Sequence, residues 1–286
     1  LITTDPRAVV QTTLSAWDAF VACASEVDPQ AAIRKRSAGA AIAEMGTWPG
    51  SRTLNDMRAD ARAGRTGLAS AAPPRIPSNP TSDQLMQALL RSRDSLADWV
   101  DSVPGWQEES LLLTPTILGP LPLLTAIHGV AYPLALVALD LQAAGVTAPP
   151  DLLDAGLNAL VDTTGALAAR AQVTASITAR VPARQFGAGA TGGDWCTRDL
   201  GSASPTDAGP AVIGDVPTVL TATAGRADVV GLYRSGALRF HDLPGLLHWV
   251  PVVESVPGLP GGRTLGRAGR YLGAVTSLWS KLPLTR

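Results

Sequence analysis

The stretch Val173-Thr174-Ala175-Ser176-Ile177-Thr178-Ala179-Arg180-Val181 decides the reading of the chain, because the hydrophobic period changes there. Apolar residues fall at every second position, the pattern of a half-buried β-strand. Everything before it repeats at helical spacing instead. Working outward predicts a helical bundle over 1–170, a small α/β unit over 171–256, and a linker with an amphipathic helix over 257–286.

On the N-terminal side, Pro6 to Val27 places Val9, Val10, Leu14, Trp17, Phe20 and Cys23 on one side of a helix, with Pro6 at a tolerated start. Further helical stretches run over Ser37–Trp48, Leu54–Ala63 and Thr81–Val103, the last with Thr81-Ser82-Asp83 as capping candidates. Gly64 to Pro80 reads as a long mobile loop. Leu111 to Leu139 holds no Asp, Glu, Lys or Arg, a length that suggests a membrane span. Pro115, Pro120, Pro122 and Pro133 interrupt it, so a buried bundle helix over Leu121–Ala144 after a proline-rich loop is the better reading. Asp151 is expected to cap a further helix carrying Leu152, Leu157 and Leu167.

On the C-terminal side, Gly187 to Gly193 reads as a flexible hairpin turn, since it lacks the GK[ST] ending of a phosphate loop. Strands are expected at Asp194–Leu200, Ala211–Ile213 and Leu238–Phe240. Asp215 and Pro217 start a helix that Gly225 ends, and another turn follows from Asp228 to Arg234. In the tail, Arg263, Arg267 and Arg270 share a helical side, with Leu265, Leu272, Val275, Leu278 and Trp279 as the apolar complement. This helix packs on its own protein, docks a protein partner, or lies on a membrane surface.

Composition narrows the function classes. With 286 residues, 46% apolar and 16% charged, the chain has a globular composition. A net charge of −1 gives no electrostatic case for nucleic acid. The only lysines are Lys35 and Lys281, an arginine bias typical of GC-rich bacterial coding. No signal peptide is legible. Cys23 and Cys196 fit no metal-ligand spacing and read as reduced thiols of a cytoplasmic protein, the alternative being a disulfide between the two regions. Cys196, beside Trp195 and with Arg198 as its local cation, is the candidate reactive thiol. His241 and His248 flank a short proline-bounded helix, where they cap or pack.

Several short motifs carry a resemblance. Ala43-Glu-Met-Gly46, Val137-Ala-Leu-Asp-Leu141, and Ala211-Val-Ile-Gly-Asp215 followed by Ala224-Gly-Arg-Ala-Asp228 and Gly231-Leu-Tyr resemble the mycothiol-dependent maleylpyruvate isomerase family. The resemblance implies an α+β fold: a DinB-like four-helix bundle, a sterol-carrier-like α/β domain and the helical tail. It also implies a divalent metal, usually zinc, held by a His on the second helix and by a Glu and a His at i and i+4 on the fourth. Here those positions fall at Glu44, Pro133 and Val137, so the expected metal site is lost. His128, nine residues before Val137, falls on the opposite side of a continuous helix. Asp140, three residues after Val137, is the nearest donor, and a Glu44–Asp140 pair is a candidate displaced site for a hard cation or a shared proton. The alternative is a structural role for both.

These observations lead to three expectations. The first is a metal-free, non-catalytic relative that binds a small apolar or thiol-bearing ligand, or serves as an assembly subunit, with no cofactor. The second is a mycothiol-dependent transferase or isomerase using a divalent metal at the displaced site. The third is a partner- or membrane-docking protein acting through the tail.

Overall fold

The structure is a computed structural model that describes residues 5–69, 72–181, 184–191, 194–201, 210–249 and 252. The chain begins with α1 (Pro6–Ser25), started by Asp5, whose side chain accepts from the Arg7 backbone N–H. A two-residue-tipped hairpin, β1 (Ala32–Ile33) and β2 (Arg36–Ser37), leads into the short α2 (Ala38–Ala43). Then come α3 (Leu54–Arg62), α4 (Ser82–Ser102) and α5 (Trp106–Ser110). Thr53 with Asp56, and Thr81 with Gln84, form reciprocal capping boxes that fix the starts of α3 and α4. A second small hairpin, β3 (Leu113–Thr114) and β4 (Leu121–Pro122), precedes α6 (Leu123–His128) and α7 (Ala131–Leu141). A 3-10 turn over Gln142–Ala144 and the long α8 (Pro150–Arg170) complete the helical part.

Sequence and structure part at two places here. The expected single helix over Leu121–Ala144 is broken into α6 and α7 at Gly129–Val130. Pro133 has no N–H to bond the Gly129 carbonyl four residues back, and that carbonyl accepts instead from Tyr132 N–H, at 3.3 Å. By length and composition, the helical stretch Leu123–Ala144 is apolar enough to cross a membrane, but 67% of its apolar window is buried inside the molecule. Asp151 lies in the first turn of α8, and Pro149 occupies the cap position. Within Gly64–Pro80, the described part has no helix or strand and is pinned where Arg75 N–H donates to Pro49 O at 2.9 Å.

The later sheet has five strands in the order β7-β6-β5-β8-β9. They are β5 (Ala175–Val181), β6 (Arg184–Thr191), β7 (Asp194–Gly201), β8 (Ala211–Ile213) and β9 (Arg239–His241). Only β5 and β8 run parallel; the other neighbours are antiparallel. Helices α9 (Val216–Thr223) and α10 (Val229–Ser235) connect β8 to β9 and α11 (Leu243–Leu247) follows β9, with Asp215, Asp228 and Asp242 capping their starts. The glycine run expected as a turn lies largely inside β6, where Gly187 pairs with Arg198 and Gly189 with Cys196. The close approach of α8 to this sheet is made by a glycine of the helix, whereas a Cβ on Gly189 would meet nothing within 4 Å. A Cβ on Gly165 of α8 would sit 3.0 Å from Ala188 Cβ and 2.8 Å from Trp195 Cδ1.

Helix α1 packs against α4, α6, α7 and α8, and α8 packs on α7 and also across β5, β6 and β7. One helix therefore belongs to both halves, and a single core cluster runs from Val9 through Leu157 to Trp249.

The α3–α5 edge is held electrostatically. Glu109, buried, accepts from Arg58 Nε at 2.9 Å, Arg62 Nη2 at 3.0 Å and Trp99 Nε1 at 3.3 Å. Arg58 also lies over the Trp99 ring, 5.7 Å from its centroid. Burial pushes the Glu109 carboxyl up, but the bonds from Arg58, Arg62 and Trp99 outweigh it and leave the group below its ordinary value. Asp56 is lowered by its Thr53 hydrogen bonds, and Asp60 by those from Arg52 and Arg65. A depressed carboxylate stabilises the fold above its unfolded pKa, about 4, and that contribution is lost as pH falls through the folded value. Stability is therefore expected to drop below about pH 4, less steeply in Glu109→Gln. Urea midpoints measured through the acid range check this; a mutant curve parallel to wild type contradicts it.

Candidate functional site at the junction of bundle and sheet

Two polar clusters lie where the helices meet the sheet region. The first centres on Asp140, at the end of α7 and 5% exposed. Its carboxylate takes Arg34 Nε at 2.6 Å on one oxygen and Arg226 Nη1 at 2.8 Å on the other. Arg226, from the connection after α9, also donates to Leu136 O at 3.2 Å. Arg34 sits at the tip of the β1–β2 hairpin with φ +49°, a left-handed conformation that costs a non-glycine residue about 1 kcal/mol. Its ion pair with a buried carboxylate offsets that strain. Beside this cluster, the Tyr132 hydroxyl and Thr223 Oγ1 lie 3.1 Å apart, joining α7 to α9, and burial raises the phenol's pKa.

The second cluster is deeper. His128 Nδ1 lies 3.0 Å from Asp162 Oδ2, and Trp195 Nε1 donates to Asp162 Oδ1 at 3.1 Å. His128 and Asp162 are each 2% exposed and Trp195 7%. Helices α6 and α8 and strand β7 thus each supply one member. A buried carboxylate with a hydrogen bond on each oxygen escapes much of the usual cost of desolvation.

The residues expected to act separate in this geometry. Glu44 is exposed at the C-cap of α2 and pairs with Arg36, whereas Asp140 is taken by Arg34 and Arg226. No hydrogen bond or ion pair among the described residues joins Glu44 to Asp140. Pro133 stands near the start of α7, and Val137 is buried in its core. Neither carries a donor atom, so the residues present do not fit the three-ligand metal set that the resemblance implies. Among the described residues no group of three His, Cys, Asp or Glu is placed to hold a metal ion. Cys23 is buried, and burial followed by the Glu26 charge pushes its thiol to about 11, so it stays protonated at neutral pH. The backbone of Cys196 pairs with Gly189 in β7; its side chain lies outside the described residues. Arg263, Arg267, Arg270 and Trp279 of the tail also lie outside them.

The sequence reading missed the His128–Asp162–Trp195 cluster. It placed His128 by its angle to Val137 on a continuous helix, but the break at Gly129 removes that frame. His248 stands at the C-cap of α11, as expected, whereas His241 is exposed at the end of β9 and leaves the start of α11 to be capped by Asp242.

These features define a mostly helical α+β protein, with helices first and a mixed sheet later. No family model matches the chain, and no curated protein matches it. A solved structure does: a crystal structure of a point mutant of the mycothiol-dependent maleylpyruvate isomerase, 12% identical, covering 83% of this chain and 93% of that one at a TM-score of 0.49.

Proposed function

We propose that the chain is a metal-free, non-catalytic protein resembling the mycothiol-dependent maleylpyruvate isomerase family. On this reading it has a DinB-like bundle and a sterol-carrier-like domain, and it binds a small apolar or thiol-bearing ligand at their junction or serves as an assembly subunit. One observation carries the reading. Of the two carboxylates of the displaced-site pair, Glu44 is exposed and paired with Arg36, and Asp140 is already held by two guanidiniums. A cation there would have to displace Arg34 and Arg226 and would then find a single carboxylate, a weak donor set for zinc.

The test is elemental analysis by mass spectrometry of protein purified by gel filtration without chelator. Transition metal well below one equivalent is the expected result. A stoichiometric metal overturns the reading and directs attention to the displaced-site enzyme.

A further inference from the structure

The geometry points to an internal site for one small hydroxyl donor, built on His128 Nε2 and Thr125 Oγ1 of α6. The argument starts from Asp162. The Trp195 indole N–H is a donor only, so Asp162 Oδ1 accepts from it, and an ionised carboxylate accepts at Oδ2 as well. The imidazole proton is therefore on Nδ1, and in the neutral ring Nε2 is left as an acceptor aimed away from Asp162. That nitrogen is buried and has no hydrogen-bond partner among the described residues.

A second atom shares this condition. Thr125 Oγ1, three residues earlier in α6 and on the same helix face, is also buried without a partner among the described residues. Bare buried acceptors and hydroxyls are rare because each forfeits its bonds to water. Two of them within one helical turn are satisfied together by a single guest that accepts from the Thr125 hydroxyl and donates to His128 Nε2. An O–H group does both. An imidazole backed by a carboxylate is also how proteins orient a metal ligand. Here no third His, Cys, Asp or Glu joins His128 and Asp162 among the described residues, so the site suits a neutral donor and not a cation. The guest is a water molecule, which needs two to four polar partners, or the alcohol group of a small ligand. The site does not depend on whether metal binds elsewhere.

The experiment has three arms, all on the full chain. Nitrogen-15 NMR of the His128 ring at neutral pH should show Nδ1 protonated and Nε2 accepting a hydrogen bond; a proton on Nε2 overturns the site. Thr125→Val removes the hydroxyl partner at almost constant shape. With a guest present the melting temperature falls by about 2–4 °C, whereas a dry site exchanges an orphan hydroxyl for a methyl group and the melting temperature rises. A rise overturns the site. Water-selective exchange spectroscopy of the His128 ring protons then distinguishes the sources. A long-lived water contact identifies solvent. A hydroxyl compound released on denaturation and detected by mass spectrometry identifies a ligand. If neither is found, the site is dry and the inference fails.

Discussion

Asp162→Ala is expected to lower the melting temperature by on the order of 10 °C. The carboxylate accepts from two groups that have no exit to solvent, His128 Nδ1–H and the Trp195 indole N–H. Its loss leaves both donors bare in the core, at about 1–3 kcal/mol each, and adds a small cavity. A total of about 3–5 kcal/mol is large against the stability of an ordinary domain. A double-mutant cycle isolates the cause. Trp195→Phe alone removes the indole bond to Asp162 Oδ1, but in the Asp162→Ala background it removes a stranded donor and costs less. Thermal melts of the four proteins measure the coupling. Additive effects would mean that the indole and the carboxylate do not act as a pair.

Asp140→Ala is expected to loosen the junction of helices and sheet more than the molecule as a whole. Removing one member of a buried ion pair strands the others, but Arg34 and Arg226 keep partial access to water and can rehydrate. The expected loss is therefore about 1–3 kcal/mol, less than for a fully enclosed pair. Its distribution is the sharper readout. Arg226 ties the connection after α9 to Leu136 and Asp140 of α7. Amide hydrogen exchange around 224–230 should accelerate while the amides of α1 keep their protection. Uniform acceleration along the chain would show that the cluster contributes only to global stability.

Much of the fold was legible in local chemistry. Thr81 announced α4, and its capping box with Gln84 is present. The alternation at 173–181 became β5, and Asp215 with Pro217 opened α9. Errors arose where composition and context conflict. Glycines at 187–191 suggest a turn by conformational freedom, but their backbone is held in β6 by pairing with Arg198 and Cys196 of β7, a partner the local sequence does not reveal. A charge-free run suggests one helix, although Pro133 within it removes the N–H that continuity requires. The candidate site was less legible still. Helical periodicity put Asp140 on a plausible face but could not reveal that two arginines, one from a hairpin tip and one from beyond α9, converge on it. His128, Asp162 and Trp195 belong to no spacing motif, because tertiary packing alone brings α6, α8 and β7 together.

The sharing of α8 between the two halves has a consequence for synthesis on the ribosome. The bundle can close once residue 170 has emerged, but the side of α8 that meets β6 and β7 must then wait for Ala188 and Trp195. A nascent chain that waits with a greasy helix face exposed invites association with its neighbours. On α8 the waiting positions that meet Trp195 are Gly165 and Asp162, a residue without a side chain and one that prefers water until its partners arrive. The contact with Trp195 is thus made from positions that expose no apolar side chain beforehand.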